Sequence, residues 1–158
     1  MVPEAEQGHK AGEAFRESGE AYHLKSRNAL KSMELNAKAG IAEWAVSASY
    51  YAKYFAVYAL LARIGAKCEI HDCTIALFEH LFGDTVSARL IQELKHSKRD
   101  RVEMQYYATV VKADMRQVIA QTKNFLLEAE KVLDSLDTQS VLNLQNKLRR
   151  LTPATRRH

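Results

Sequence analysis

Residues Trp44 to Ala66 read WAVSASYYAKYFAVYALLARIGA, a run apolar on nearly every side, with Lys53 the only charge before Arg63. Wound as a helix, it places Trp44, Ser47, Tyr51, Tyr54, Tyr58 and Leu61 in one stripe and Val46, Tyr50, Val57 and Leu60 in a second on another side. Two apolar stripes require neighbours on two sides, as for the central helix of a bundle. The stretch is also about as long as a membrane span. Its mid-segment phenols and serine hydroxyls argue for burial in protein instead, since interfacial tyrosines belong at the two ends of a span. No membrane partner is expected.

The pattern continues on both sides. Proline occurs only at Pro3 and Pro153, so nothing between them forbids long helices. A first helix is predicted from about Lys10 to Ala37, with Phe15, Tyr22, Ala29, Leu30, Met33 and Ala37 recurring at intervals of three, four and seven, and with Ala39-Gly40 as its end. The tyrosine-rich helix closes near Ile64, where Gly65 suits the position just past a helix end. A third starts after His71-Asp72, with Asp72 as N-cap and Ile75, Leu77, Phe78, Leu81 and Phe82 as its apolar face. Gly83-Asp84 marks a turn before a shorter helical piece, Val86 to Leu94.

Lys95 to Lys112 has no sustained apolar stripe and reads largely as connection. A fourth long helix follows from about Ala113 to Leu136, with Met115, Val118, Ile119, Phe125, Leu126, Ala129, Val132, Leu133 and Leu136 in a broad stripe. Beyond Asp137, Val141, Leu142, Leu144, Leu148 and Leu151 make a short amphipathic basic helix. No useful β-alternation occurs. The expected fold class is all-α, an antiparallel up-and-down four-helix bundle over residues 1–137 with a basic helix and tail over 138–158.

At 158 residues the chain has the size of one domain and needs no disulfide, metal or cofactor to form a core. Cys68 and Cys73 lie behind a polar N-terminus, MVPEAEQGHKAGEAF, where a secretory signal would be apolar, so reduced thiols and a cytoplasmic location are expected. The net charge is +4 overall and +5 within residues 138–158 (Lys147, Arg149, Arg150, Arg156, Arg157), which leaves residues 1–137 at −1. Within the body the one concentrated positive field is LKHSKRDRV, Leu94 to Val102, where Lys95, Lys98, Arg99 and Arg101 face Asp100 alone.

No glycine-rich phosphate loop, nucleophile elbow or HExxH motif is present. Cys68, His71, Cys73 and His80 have metal-ligand chemistry but not paired zinc spacing, and no metal is assigned. Arg101, with Tyr106 and Tyr107 beyond it, is the stronger candidate. Its planar fork can hold a phosphate through two hydrogen bonds, and neighbouring aromatics could stack on single-stranded RNA. The structural alternative is an ion pair from Arg101 to Glu103 or Asp100, with both tyrosines packed in the core.

The order EWAVSASYYAKYFAVYALLARIGA, His71, TIALFEHLF, Arg101 to Tyr106 and KADMRQVIAQTKNFLLEAEKVL resembles the HEPN family over about Phe15 to Leu136. The resemblance implies a homodimer and a separately encoded minimal nucleotidyltransferase as partner in a toxin–antitoxin type system. It implies RNA or a nucleotide in the dimer groove, and the basic stretch offers Lys95, Lys98 and Arg99 as binding residues for it. In active members an arginine and a histidine a few residues later cut RNA without a metal. Arg101 stands in the arginine's place and Tyr106 in the histidine's, and these are the candidate catalytic pair. A phenol with pKa about 10 is a poor base at neutral pH, so cleavage is expected to be weak. His96 is the only nearby substitute in sequence, on the wrong side of Arg101. The alternative function is a non-enzymatic nucleotide-binding or assembly subunit of that nucleotidyltransferase.

Overall fold

The computed structural model describes residues 4–107 and 113–151, which hold six helices and no strand. They are α1 (Glu4–Lys38), α2 (Ala42–Arg63), α3 (His71–Phe82), α4 (Ala88–Tyr106), α5 (Met115–Ser135) and α6 (Thr138–Leu151). Part of the Lys95 to Lys112 segment and the tail arginines Arg156 and Arg157 lie outside the described residues. None of the described helices is long and apolar enough to cross a membrane.

α2 is the centre, packed against α1, α3, α4 and α5. Every residue from Ala56 to Ala62 is buried, as two apolar stripes require. Each large side chain so removed from water contributes about 1.5–3 kcal/mol. Trp44 departs from its predicted stripe: it lies in the first turn of α2 and is 55% exposed.

The two predicted glycine stops are present. Gly40 and Gly65 both take φ of 75°, a backbone that suits glycine. After α2, the Gly65 N–H donates to the Ala62 carbonyl and the Ala66 N–H to that of Leu61. After α1, Gly40 and Ile41 bond in the same way to Ala37 and Asn36. These paired bonds satisfy carbonyls a helix end would otherwise leave orphaned, and the short turn between them lays α1 back along α2.

Small residues let α1 approach closely. A Cβ added to Gly19 would sit 3.2 Å from the Ala59 carbonyl oxygen, and one turn pair further the Ser26 hydroxyl donates to the Ala52 carbonyl at 2.8 Å. Opposite, Ser49 and Thr122 join α2 to α5 through a 2.8 Å hydroxyl contact, next to the buried Phe125, Leu126, Ala129 and Val132. α6 is amphipathic as predicted, but only Val141, Leu144 and Leu148 reach the core, while Leu142 and Leu151 are exposed.

Three expectations are corrected. α4 runs unbroken to Tyr106, where a helix ending at Leu94 and then a connection were predicted. Its inward row beyond Leu94 is polar, so an apolar stripe could not reveal it. Ile70, not Asp72, holds the N-cap position of α3, and no side chain caps that end. Cys68 and Cys73 are joined by a disulfide rather than reduced, closing the loop that leads into α3.

The charge inside the bundle is Lys53, its side chain 3% exposed. Its ammonium lies 3.0 Å from Glu93 Oε1 and donates to Ser97 Oγ at 2.7 Å. Burial pulls the Lys53 pKa down and Glu93 pushes it back up. Glu93 Oε1 is within ion-pair distance but off the line of a formed hydrogen bond, so attraction of charge holds the pair. Removing one partner of such a pair costs about 3–5 kcal/mol, whereas replacing both with apolar groups is often neutral. Urea denaturation should therefore show Glu93→Leu destabilised by about 3–5 kcal/mol, with Lys53→Met in the same chain restoring stability to within about 1 kcal/mol of the parent.

Candidate functional site

α4 lies on α2 through polar residues four apart. Glu93 and Ser97 meet Lys53, Arg101 covers Tyr50 and Tyr51, and Gln105 meets Ser47. As the numbers rise along α4 they fall along α2, so the two helices run antiparallel. Four-residue spacing keeps all these side chains on one side of the helix.

Arg101 is the centre of this row. Its guanidinium carbon stands 5.4 Å from the Tyr50 ring centroid and 5.1 Å from that of Tyr51. Its Nε donates to Gln105 Oε1 at 3.1 Å, and Gln105 Nε2 donates to Ser47 Oγ at 3.2 Å. Neither terminal nitrogen of Arg101 has a hydrogen-bond partner, and no carboxylate pairs with it, among the described residues. The predicted ion pair to Glu103 or Asp100 is absent there. What remains is a planar fork, braced on two aromatic faces, with its terminal donors free. Such a fork matches the geometry of a phosphate.

His71, the first residue of α3, sits against the same aromatics. Its Nδ1 is 2.6 Å from the Tyr50 hydroxyl. Its ring stacks on Tyr54 at 4.3 Å with planes 12° apart, and meets Tyr51 edge-on. Burial lowers the His71 pKa from the ordinary 6.5, Arg101 and Lys98 lower it further, and Asp72 opposes them. Burial likewise holds the Tyr50 phenol well above its ordinary range, so Tyr50 stays protonated. Lys98 in turn pairs with Asp72 and keeps that carboxyl below the usual carboxylate range.

The residues predicted from sequence divide into three places. Lys95, Lys98 and Arg99 line a cleft of about 560 Å³ between α3 and α4, together with Asp72 and Glu79. There Lys95 pairs with Glu79 at 2.6 Å and Lys98 with Asp72, whereas Arg99 has no ion pair among the described residues. Arg101 lies on the α2–α4 seam. Tyr106, five residues on, is turned about 140° around the helix from Arg101. It lines a separate cleft of about 350 Å³ with Glu43, Trp44, Ser47, Met104 and Gln105, and no hydrogen bond or ring contact joins it to Arg101.

Tyr106 and Tyr107 are 73% and 63% exposed, so neither packs as core. His96, the substitute nearest in sequence, is exposed on α4. The histidine that shares the Tyr50 and Tyr51 rings with Arg101 is His71, which spacing along the chain could not reveal because the two residues sit on different helices. Of the metal-ligand candidates, Cys68 and Cys73 are tied up in the disulfide and His71 is held by Tyr50. Among the described residues, no three His, Cys, Asp or Glu side chains are grouped to hold a metal ion.

The arrangement is that of a small all-helical domain with a basic and aromatic site on its central helix. Residues 20–134, well over half of the chain, match the family model for the HEPN domain, and the chain belongs to that family. No curated protein matches it.

The electrostatics of His71 are open to direct measurement. Its imidazole should titrate below 6.5 by NMR, and Arg101→Ala should move that midpoint upward by removing a nearby positive charge. No shift on that substitution would separate His71 from Arg101.

Proposed function

We propose that this HEPN-family chain acts as a homodimer that engages RNA at Arg101, with Lys98 and Arg99 of the neighbouring α3–α4 cleft extending the basic surface. In this reading it belongs to a toxin–antitoxin type system whose other component is a separately encoded minimal nucleotidyltransferase. The observation that carries RNA engagement is the Arg101 fork, braced on Tyr50 and Tyr51 with its terminal nitrogens unpartnered among the described residues. Family membership supports the dimer and the partner class. The same reading takes α1, α2, α4 and α5 as an antiparallel up-and-down bundle within residues 1–137, with 138–158 as an added basic helix and tail. The packing of α2 on the other three supports it.

Slow, metal-independent cleavage is the activity this reading attaches to the site. A second reading, a non-enzymatic subunit that presents a nucleotide or RNA to the transferase, is favoured by Tyr106. Its phenol is a poor base at neutral pH, and it is turned away from Arg101. Binding of labelled RNA without cleavage over hours would select the second reading.

A charged hydrogen-bond donor is worth about 1.5–3 kcal/mol, so Arg101→Ala should weaken binding of labelled RNA by about 10- to 100-fold. Unchanged affinity overturns the Arg101 site. Because α6 packs on the core, the tail is better tested by charge reversal than by truncation. Arg149→Glu combined with Arg150→Glu should leave affinity within about twofold and the salt slope little changed. Loss of binding there, with none in Arg101→Ala, would move the interface to α6.

A further inference from the structure

We propose that His71 is the proton acceptor for RNA cleavage at this site, in the role that the Tyr106 phenol on α4 cannot fill. The inference rests on the reading that RNA phosphate binds at Arg101.

Position comes first. His71 and Arg101 flank the same two rings: the imidazole centroid is 5.7 Å from Tyr50 and 6.3 Å from Tyr51, and the guanidinium carbon 5.4 Å and 5.1 Å. The imidazole and the guanidinium thus share one aromatic platform, and the charge of Arg101 reaches the imidazole, although the two residues come from different helices.

Orientation is fixed from several sides. Tyr50 holds Nδ1, Tyr54 holds the ring plane, and Nε2 is left without a hydrogen-bond partner among the described residues. The backbone is held too. The disulfide closes the loop entering α3, and the Thr74 hydroxyl donates to the carbonyls of Cys68 and Ile70 at 3.0 and 3.2 Å. His71 is half-buried, so its ring is held while part of it stays reachable.

The charges facing the imidazole are Lys98 and Arg101 from α4 and Asp72 from α3, while α2 contributes the phenols of Tyr50, Tyr51 and Tyr54. Burial and the two cations outweigh Asp72, so His71 is neutral at pH 7 and free to accept a proton.

In the step itself His71 acts from the tautomer whose Nδ1–H donates to the Tyr50 hydroxyl oxygen, so the ribose 2′-hydroxyl gives its proton to Nε2 and the 2′-oxygen attacks the adjacent phosphorus. The bond from phosphorus to the 5′-oxygen breaks, and that oxygen takes a proton from solvent. Arg101 stabilises the charge that grows on the non-bridging oxygens. The imidazolium donates Nδ1–H to the Tyr50 hydroxyl oxygen and later returns its extra proton to solvent. The products are a 2′,3′-cyclic phosphate and a 5′-hydroxyl, with no metal or redox partner consumed.

The test uses the full chain, labelled RNA and excess chelator. His71→Gln should cut the cleavage rate about 10²- to 10⁴-fold while RNA affinity stays within about twofold, and imidazole should partly restore cleavage in His71→Gly. The parent kcat/KM, which reports the free protein, should fall on the acid side with a midpoint below 6.5, and that limb should vanish in His71→Gln. Parent-like cleavage by His71→Gln overturns the inference and leaves RNA binding at Arg101 standing. So does a parent protein that binds RNA without cutting it. Failure of the parent to bind RNA overturns the binding reading itself, and this inference with it. Should His71→Gln lose binding through misfolding, the parent pH profile decides: an acid limb supports the role and a flat profile from about pH 5 to 8 overturns it.

Discussion

Lys53 is an ammonium in the middle of a helical core, and its need for a partner fixes how α4 lies on α2. An unpaired charge at that depth would cost several kcal/mol. Glu93 and Ser97 meet the need only in one alignment of the two helices. Sliding α4 by one turn would take Glu93 off Lys53 and bring residues such as Arg89 or Leu90 to it on one side, or His96 or Ser97 on the other, none of them a carboxylate. Apolar contacts are far less selective, because leucine tolerates many neighbours. The buried pair thus acts on register more than on total stability, since an apolar replacement of both residues would be about as stable.

That register determines the site. With Glu93 and Ser97 fixed, the next positions four residues on are Arg101 and Gln105, which fall over Tyr50, Tyr51 and Ser47. The guanidinium is therefore placed by an ion pair two helical turns away and locked at Nε by Gln105. α3 adds its part independently, through the loop disulfide and the Tyr50–His71 contact. Both contributions converge on α2, the central helix, whose residues from Ala56 to Ala62 are all buried.

Apolar periodicity made α1, α2 and α5 legible, because their stripes face the core they create. It missed the second half of α4 for the converse reason. Glu93, Ser97, Arg101 and Gln105 recur every four residues as regularly as any apolar stripe, but they read as solvent-facing until Lys53 is known to lie opposite. Asp72 looked like a cap, but the N-cap lies two residues earlier, at Ile70, and the Asp72 carboxylate pairs with Lys98. Cys68 and Cys73 looked like separate thiols, and only the tight loop before α3 brings them together. Arg101 was singled out by its guanidinium chemistry, but the tyrosine chosen as its companion was counted along the chain, whereas a five-residue step turns most of the way to another face.

Arg101 has two effects on the neighbouring imidazole that bear on catalysis. In the free protein its charge, with that of Lys98, adds to burial and keeps His71 neutral. A phosphodiester bound at the guanidinium brings a negative charge into the same space and offsets that repulsion. Imidazolium then becomes easier to form, so the base strengthens when substrate arrives. A histidine on α4 itself would feel its own helix neighbours, whereas His71 on α3 is coupled to α4 chiefly through the charges of Arg101 and Lys98. In the proposed mechanism, the residue that binds the phosphate is for that reason also the one that sets when the proton can move.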